Sequence, residues 1–420
     1  MSSPSDDELQ NALVQLRAAH PTLGIPKLHA RLRADFDWAV SEKRMRKVLA
    51  TLAPPKLAEP PHPSSQVVEG LDIGVWTSRV DVRMFDKKKG KGLIATHTIK
   101  SGETIWVEDP FVIAPEWDIY DKMRAGAACS QCTTLFALQS DARARCAHCP
   151  AAFCNSLCRK RAEKTHPLLC AAQNPASMAL LRWVRAHEWM ALHALMQCAA
   201  RLILANVAGE AVLAADWAVV RGFATLGMEE RARYSFRAEP DRETWRKAFE
   251  LFCTAFHRPR REDGAKSKTL ADEEKRVVTI LRKPLPDEIE TALFDYDKGF
   301  LLGLGRMSLN LEAHGGLYTL HAHLNHSCAP NVSVRHLDQR HALSRITLKA
   351  LADIQPGQEL HITYVNPAAG YGERRTALEA WGFVCQCKRC IEEGREWKPP
   401  EESGDLGDLA NELKAGLGVM

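Results

Sequence analysis

Twelve residues of this 420-residue chain combine the chemistry and spacing of metal ligands. Eight lie close together. Cys129-x2-Cys132, Cys146-x2-Cys149, Cys154-x3-Cys158 and His166-x3-Cys170 place seven cysteines and one histidine within 42 residues. Tetrahedral zinc takes four ligands, and a close Cys pair supplies two of them from one tight turn. Eight ligands therefore make two closed sites, which suits structural rather than catalytic zinc. Buried or disulfide-bonded cysteines are the alternative, but packing alone rarely produces pairing this regular. Far downstream, Cys385-x-Cys387-x2-Cys390 offers three thiolates with no fourth nearby. Cys328 could complete that set from a distance, pinning the C-terminal segment against the segment around residue 328.

The residues around these cysteines suggest a reaction. Leu324-Asn325-His326-Ser327-Cys328-Ala329-Pro330-Asn331, Gly357-Gln358-Glu359-Leu360-His361-Ile362-Thr363-Tyr364 and the Cys385 cluster together closely resemble the SET core and post-SET motif of the SET-and-MYND protein lysine methyltransferases. Gly90-Lys91-Gly92-Leu93-Ile94-Ala95 and Ile99-Lys100-Ser101-Gly102-Glu103 resemble the amino-terminal half of the same domain. The resemblance covers about residues 72–395, and the order of the first eight ligands resembles the MYND finger, whose ligand pairs interleave.

The resemblance implies three zinc ions and S-adenosylmethionine. One zinc would be held by Cys129, Cys132, Cys154 and Cys158, a second by Cys146, Cys149, His166 and Cys170, and a third by Cys328, Cys385, Cys387 and Cys390. Tyr364 would be the catalytic tyrosine, orienting the acceptor amine and the reacting methyl group. Asn325 and His326 would meet the cofactor, the Asn side chain donating and accepting toward its amino-acid end. Lys91 and Gly92 match a glycine-rich segment that allows close backbone approach. Asn310 aligns with a further cofactor-contacting asparagine. Phe383 would pack on the adenine, and Trp381 would line the lysine channel with Tyr364. For these two aromatics plain core packing is the alternative. Methyl transfer from a sulfonium to an amine is an in-line displacement that needs alignment, and an apolar channel helps the lysine lose its proton.

These residues must be positioned by a mixed α and β fold, an α+β SET-domain β-fold. The expected divisions are a helical, helix-turn-helix-like module at 1–53 and a Pro-rich linker at 54–71. The amino-terminal SET half follows at 72–128, the MYND-type finger at 129–170 and a helical insert at 171–300. The carboxy-terminal SET core spans 301–368, the post-SET zinc motif 369–395 and an acidic tail 396–420. Leu9, Leu13 and Leu16 recur at helix spacing. Val80–Met84 and Thr104–Val107 alternate like strands. Residues 257–275 are charged and read as a surface loop. Cys198 and Cys253 read as core residues.

Apolar residues make up 45% and charged residues 26%, a globular balance. No run approaching a membrane span and no secretory leader are expected, which places the chain in nucleus and cytoplasm, where reduced thiols favour metal binding. The net charge of +4 is too small to argue for nucleic acid.

Between Arg17 and Ala50 there are eight Lys/Arg against three Asp/Glu. Leu28, Leu32, Val48 and Leu49 would form the core of that module. Arg31, Arg33, Lys43, Arg44, Arg46 and Lys47 would be exposed, either toward phosphates or as the solvated face of a partner-docking unit. The segment from His20 through Leu49 resembles the fungal MYND–SET enzymes that methylate histone H4. That implies a substrate in the H4 amino-terminal tail or another basic protein tail; the acidic carboxyl terminus reads either as a charge that attracts it or as a solubilising tail. A different class of reading is a non-catalytic scaffold whose MYND finger binds proline-containing peptides.

Overall fold

The computed structural model describes residues 3–19, 25–36, 38–51, 62–137, 143–235, 240–257, 272–336 and 342–397. Residues 54–61 of the expected linker, most of the charged loop at 257–275 and the tail beyond Trp397 lie outside these residues. The chain divides into two units, Met1–Pro61 and His62–Met420.

The first unit holds α1 (Asp6–Ala19), α2 (Ile25–Phe36) and α3 (Glu42–Thr51). Leu9, Leu13 and Leu16 stack at one-turn spacing and bury against Leu28, Leu32, Met45 and Val48, as an apolar stripe on each helix dictates. Leu49 is only partly buried. Some of the cations expected to face outward hold ion pairs. Arg31 reaches Asp35 at 2.8 Å and Arg44 reaches Asp6 at 2.6 Å, which weakens the basic face.

The second unit opens earlier than the expected boundary at residue 72. From His62 onward the chain is packed rather than linking. Ser64 pairs with Thr225 by backbone hydrogen bonds of 2.9 and 2.8 Å, and Val68 is buried. Strands β1 (Val80–Met84), β2 (Lys91–Ala95), β3 (Thr104–Glu108) and β4 (Val112–Ile113) then lead into α4 (Trp117–Arg124). The cysteine-rich stretch carries β5 (Ala144–Arg145), β6 (Ala152–Phe153), α5 (Ser156–Ala162) and α6 (His166–Leu169).

A helical block follows: α7 (Pro175–Ala186), α8 (Met190–Ala208), α9 (Glu210–Gly222), α10 (Met228–Glu230), α11 (Arg242–Phe256), α12 (Asp272–Leu281), α13 (Asp287–Phe294) and α14 (Leu301–Asn310). The chain returns through β7 (Gly316–Leu317), β8 (Asn325–His326), β9 (Val332–Arg335), β10 (Ile346–Ala350) and β11 (Glu359–Ile362). It then forms α15 (Tyr371–Glu379) and α16 (Lys388–Glu396).

Helix α8 corrects one expectation. Its 19 residues are long and apolar enough to cross a membrane by length and composition. Its most apolar stretch is 67% buried in the protein, among Leu180, Val184, Phe252, Phe300 and Leu304. A helix that is hydrophobic nearly all round is a core helix when other helices cover it.

Residues distant in sequence build the sheets. One has the order β1-β2-β11-β8 and another β3-β10-β9, while β4 pairs with β7 and β5 with β6. Strand β2 is largely buried on both faces, with Leu93 fully buried, and takes a central place between β1 and β11. Beneath them Ile105, Trp106, Tyr318, Leu320, Ile346, Leu348 and Leu360 form one core. Each such side chain contributes about 1.5–3 kcal/mol. The core therefore welds the segment before the cysteine-rich insert to the segment after the helical block.

Candidate active site and metal-ligand clusters

The site forms where β11 joins the two halves. Glu359 and Leu360 pair antiparallel with Ile94 and Leu93 of β2, and His361 and Ile362 run parallel to Asn325 and His326 of β8. This register brings Gly92 against Asn325. A Cβ at Gly92 would lie 2.6 Å from Phe85 Cε2, 2.8 Å from Asn325 Nδ2 and 2.9 Å from Glu359 Oε1, so a larger residue would force these side chains to shift.

Asn325 Nδ2 donates to the Lys91 carbonyl at 2.8 Å and to Glu359 Oε1 at 2.9 Å. Both partners are acceptors, which fixes the amide orientation. Of the donating and accepting expected of this side chain, the donors here go to protein acceptors. Its protons are committed inside the protein, and its oxygen is the group left to act outward. Glu359 is the organiser that the sequence reading did not single out. Burial pushes its pKa up, but hydrogen bonds from His361, Lys89 and Asn325 outweigh this and hold it down at about 2.

Tyr364 follows β11 directly. Its backbone N–H donates to His326 Nδ1 at 3.0 Å and its hydroxyl donates to the Leu324 carbonyl at 2.6 Å. Burial, followed by the charges of Glu312 and Glu359, raises its pKa well above the ordinary phenol value. It is therefore a protonated phenol at neutral pH, suited to orienting groups and not to taking a proton. Trp381 and Phe383 stand beside it, with ring centroids 4.7 and 6.2 Å away. His326 lies 5.9 Å from Phe383. Burial, then the positive charge of His361 and Arg374, lowers the His326 pKa to about 4, keeping the ring neutral. Asn325, His326, Tyr364, Trp381, Phe383 and Gly92 thus lie along one seam, joined by pairwise contacts.

Two other expected cofactor residues point elsewhere with their side chains. Lys91 offers its carbonyl to Asn325, but its ammonium is buried and donates to the Gly222 carbonyl at 2.6 Å. Burial lowers its pKa to about 7. The Asn310 amide is committed to Ala224, accepting from its N–H at 3.1 Å and donating to its carbonyl at 2.8 Å. Both side chains hold the 222–225 segment beside the site.

The twelve candidate ligands come together as three groups of four. These are Cys129, Cys132, Cys154 and Cys158; Cys146, Cys149, His166 and Cys170; and Cys328, Cys385, Cys387 and Cys390, with donor atoms within 4.8 Å of one another in each. Cys132 Sγ lies 3.5 Å from Cys154 Sγ and 3.9 Å from Cys158 Sγ. Cys328 Sγ lies 4.0 Å from Cys385 Sγ and 3.4 Å from Cys390 Sγ. A zinc tetrathiolate with bonds of about 2.3 Å has edges of about 3.8 Å, whereas a disulfide needs about 2.05 Å. The donor sets therefore fit tetrahedral zinc and do not form disulfides. Arg374, fully buried, and Arg389 back the third group. Arg389 donates to the Cys328 carbonyl at 3.1 Å, and two cations beside four thiolates offset their charge.

A model of the SET domain family matches residues 207–365. That match begins in the helical block and ends just past Tyr364, while the β2–β11 pairing ties in the earlier strands. The histone-lysine N-methyltransferase SET5 of Yarrowia lipolytica is 30% identical over 415 residues, covering 94% of this chain and 83% of that protein. The Mycosarcoma maydis protein of that name is 31% identical over 338 residues, 73% of this chain and 66% of its own length. The Scheffersomyces stipitis protein is 27% identical over 429 residues, with 93% and 81% covered. With the strand register, the aromatic seam and the thiol clusters in place, the chain belongs to the SET5 family of histone-lysine N-methyltransferases.

Proposed function

We propose that this chain transfers methyl groups from S-adenosylmethionine to lysine side chains of histones, the H4 amino-terminal tail being its substrate. The convergence of Tyr364, Trp381 and Phe383 with the Gly92–Asn325 contact carries this reading. Gly92 lets the Asn325 and Glu359 side chains come closer to its backbone than a Cβ would allow, and the Asn325 oxygen, not used by the amide's two donated bonds, is an acceptor of the kind a cofactor amino group needs. Phe383 and His326 offer ring faces to the adenine. Lys91 and Asn310 serve the cofactor indirectly, by holding the 222–225 segment in place.

The cofactor supplies an electrophilic methyl; the protein supplies alignment. The Tyr364 hydroxyl, now on the Leu324 carbonyl, orients the acceptor nitrogen in line with the methyl. Trp381 walls the channel, and its apolar surface favours the neutral amine. The third zinc, held by Cys328, Cys385, Cys387 and Cys390, fixes the segment carrying Trp381 and Phe383 against β8. The two interleaved groups between Cys129 and Cys170 form a MYND finger that docks proline-containing partner peptides. We place the enzyme in nucleus and cytoplasm, where such substrates and partners occur.

The test is a transfer assay with labelled cofactor on each core histone and on ribosomal proteins, with Tyr364→Phe as control. Labelling of H4 within its tail, lost in the variant, is expected. No transfer to any of them would leave only the scaffold reading.

A further inference from the structure

A fourth ligand cluster lies apart from the cysteine groups. Glu312 and His314 sit in the turn between α14 and β7, and His336 follows β9. Their donor atoms lie within 4.8 Å of one another. Each Glu312 oxygen faces an imidazole, with His321 Nε2 at 3.1 Å and His336 Nε2 at 3.6 Å. The rings of His314 and His336 are 3.8 Å apart.

Hydrogen bonding sets the tautomer of His314. Its Nε2 lies 2.6 Å from the Tyr318 hydroxyl, whose one proton goes to the Ser344 carbonyl. Nε2 must therefore carry the proton and donate to the Tyr318 oxygen, leaving the lone pair on Nδ1. That Nδ1 is buried and has no hydrogen-bond partner among the described residues, and the same holds for His336 Nδ1. An imidazole whose far nitrogen donates to a fixed oxygen, with its near nitrogen left bare, is prepared as a metal ligand.

We propose that Glu312, His314 and His336 bind a divalent first-row cation of the zinc class, with Tyr318 and His321 orienting the ligands. Two imidazoles and a carboxylate suit such an ion, and three protein ligands leave a position for water. Bonds of about 2.1 Å need donors about 3.0–3.5 Å apart. Rotation of the Glu312 and His336 side chains, 22% and 26% exposed, closes the remaining gap and gives the ion a way in from solvent. The bound ion would tie the turn before β7 to the end of β9. It would also neutralise the Glu312 charge that bears on Tyr364.

The test uses the full chain with its cysteine groups already loaded with zinc, as counted by elemental analysis. Titration with Zn2+ is expected to show one further equivalent. That equivalent disappears in His314→Ala and in His336→Gln, and its affinity falls about 10- to 100-fold in Tyr318→Phe. Co2+ added in place of Zn2+ is expected to give visible ligand-field bands without the near-ultraviolet thiolate charge-transfer band. His336→Gln alters a partly exposed side chain, so it reports even where His314→Ala does not fold. No further equivalent in the wild type, its survival in His336→Gln, or a thiolate band on the added cobalt would each overturn the proposal.

Discussion

Tyr364 donates its backbone N–H to Nδ1 of His326 at 3.0 Å. This bond places the His326 proton on Nε2, which faces Cys328 Sγ at 3.3 Å. One neutral imidazole thus links the candidate catalytic tyrosine to a ligand of the third thiol group. A metal held by Cys328 would couple its occupancy to the position of Tyr364 through this ring, because moving Cys328 would pull on the imidazole that accepts from Tyr364.

Cys387→Ser is therefore expected to lose one of three zinc ions and, with it, measurable S-adenosylmethionine binding, while the Cys129–Cys170 groups keep theirs. Elemental analysis and calorimetric titration check this together. Wild-type cofactor affinity in a variant with two zinc ions would show that the third group is only a staple.

Tyr364→Phe removes the hydroxyl and leaves the ring packed, tilted, against Trp381 and His326. Turnover should fall about 10²–10³-fold, the scale for losing one positioned hydrogen-bonding group, with cofactor affinity unchanged. Steady-state rates on histone and a cofactor titration separate the two. Because the phenol stays protonated, the wild-type rate should show no titration assignable to Tyr364 between pH 7 and pH 9.

Gly92→Ala inserts a methyl within 3 Å of Phe85, Asn325 and Glu359. Overpacking of this kind costs about 1–3 kcal/mol. We expect S-adenosylmethionine affinity to drop at least about tenfold, equivalent to about 1.4 kcal/mol, with little change in zinc content. Undiminished affinity would mean that the Gly92–Asn325 contact is not part of the cofactor site.

Lys91 gives a pH signature. Its ammonium has a pKa of about 7 in the folded protein against an ordinary 10.5, because burial penalises the charge. Below pH 7 both folded and unfolded chains hold the proton, and the penalty is felt in full. Between about 7 and 10.5 only the unfolded chain holds it, so this group makes the protein more stable as pH rises, by up to about 1.4 kcal/mol per pH unit. Lys91→Met should remove that slope. Chemical denaturation at pH 7, 8 and 9 measures it, and parallel wild-type and variant slopes would exclude the effect.

Short-range geometry was legible in the sequence. Cysteines two or three residues apart share a turn whatever surrounds them, so the ligand pairs could be identified before any fold was known. The heptad-like spacing of Leu9, Leu13 and Leu16 and the alternation in Val80–Met84 follow from the same local periodicities. Strand register and side-chain direction were decided only by the tertiary structure. Cys328, just after β8, meets Cys385 only because the chain beyond β11 and α15 folds back onto it. The Asn325 protons are spent because β2 and β11 present Lys91 and Glu359 to them. The Lys91 ammonium turns to Gly222, α8 becomes a core helix because other helices cover it, and Glu312, ahead of β7, meets His336, just after β9. Each of these depends on which distant segment supplies the neighbouring atoms. That is settled by the total apolar burial of the folded chain, and no local window of residues contains it.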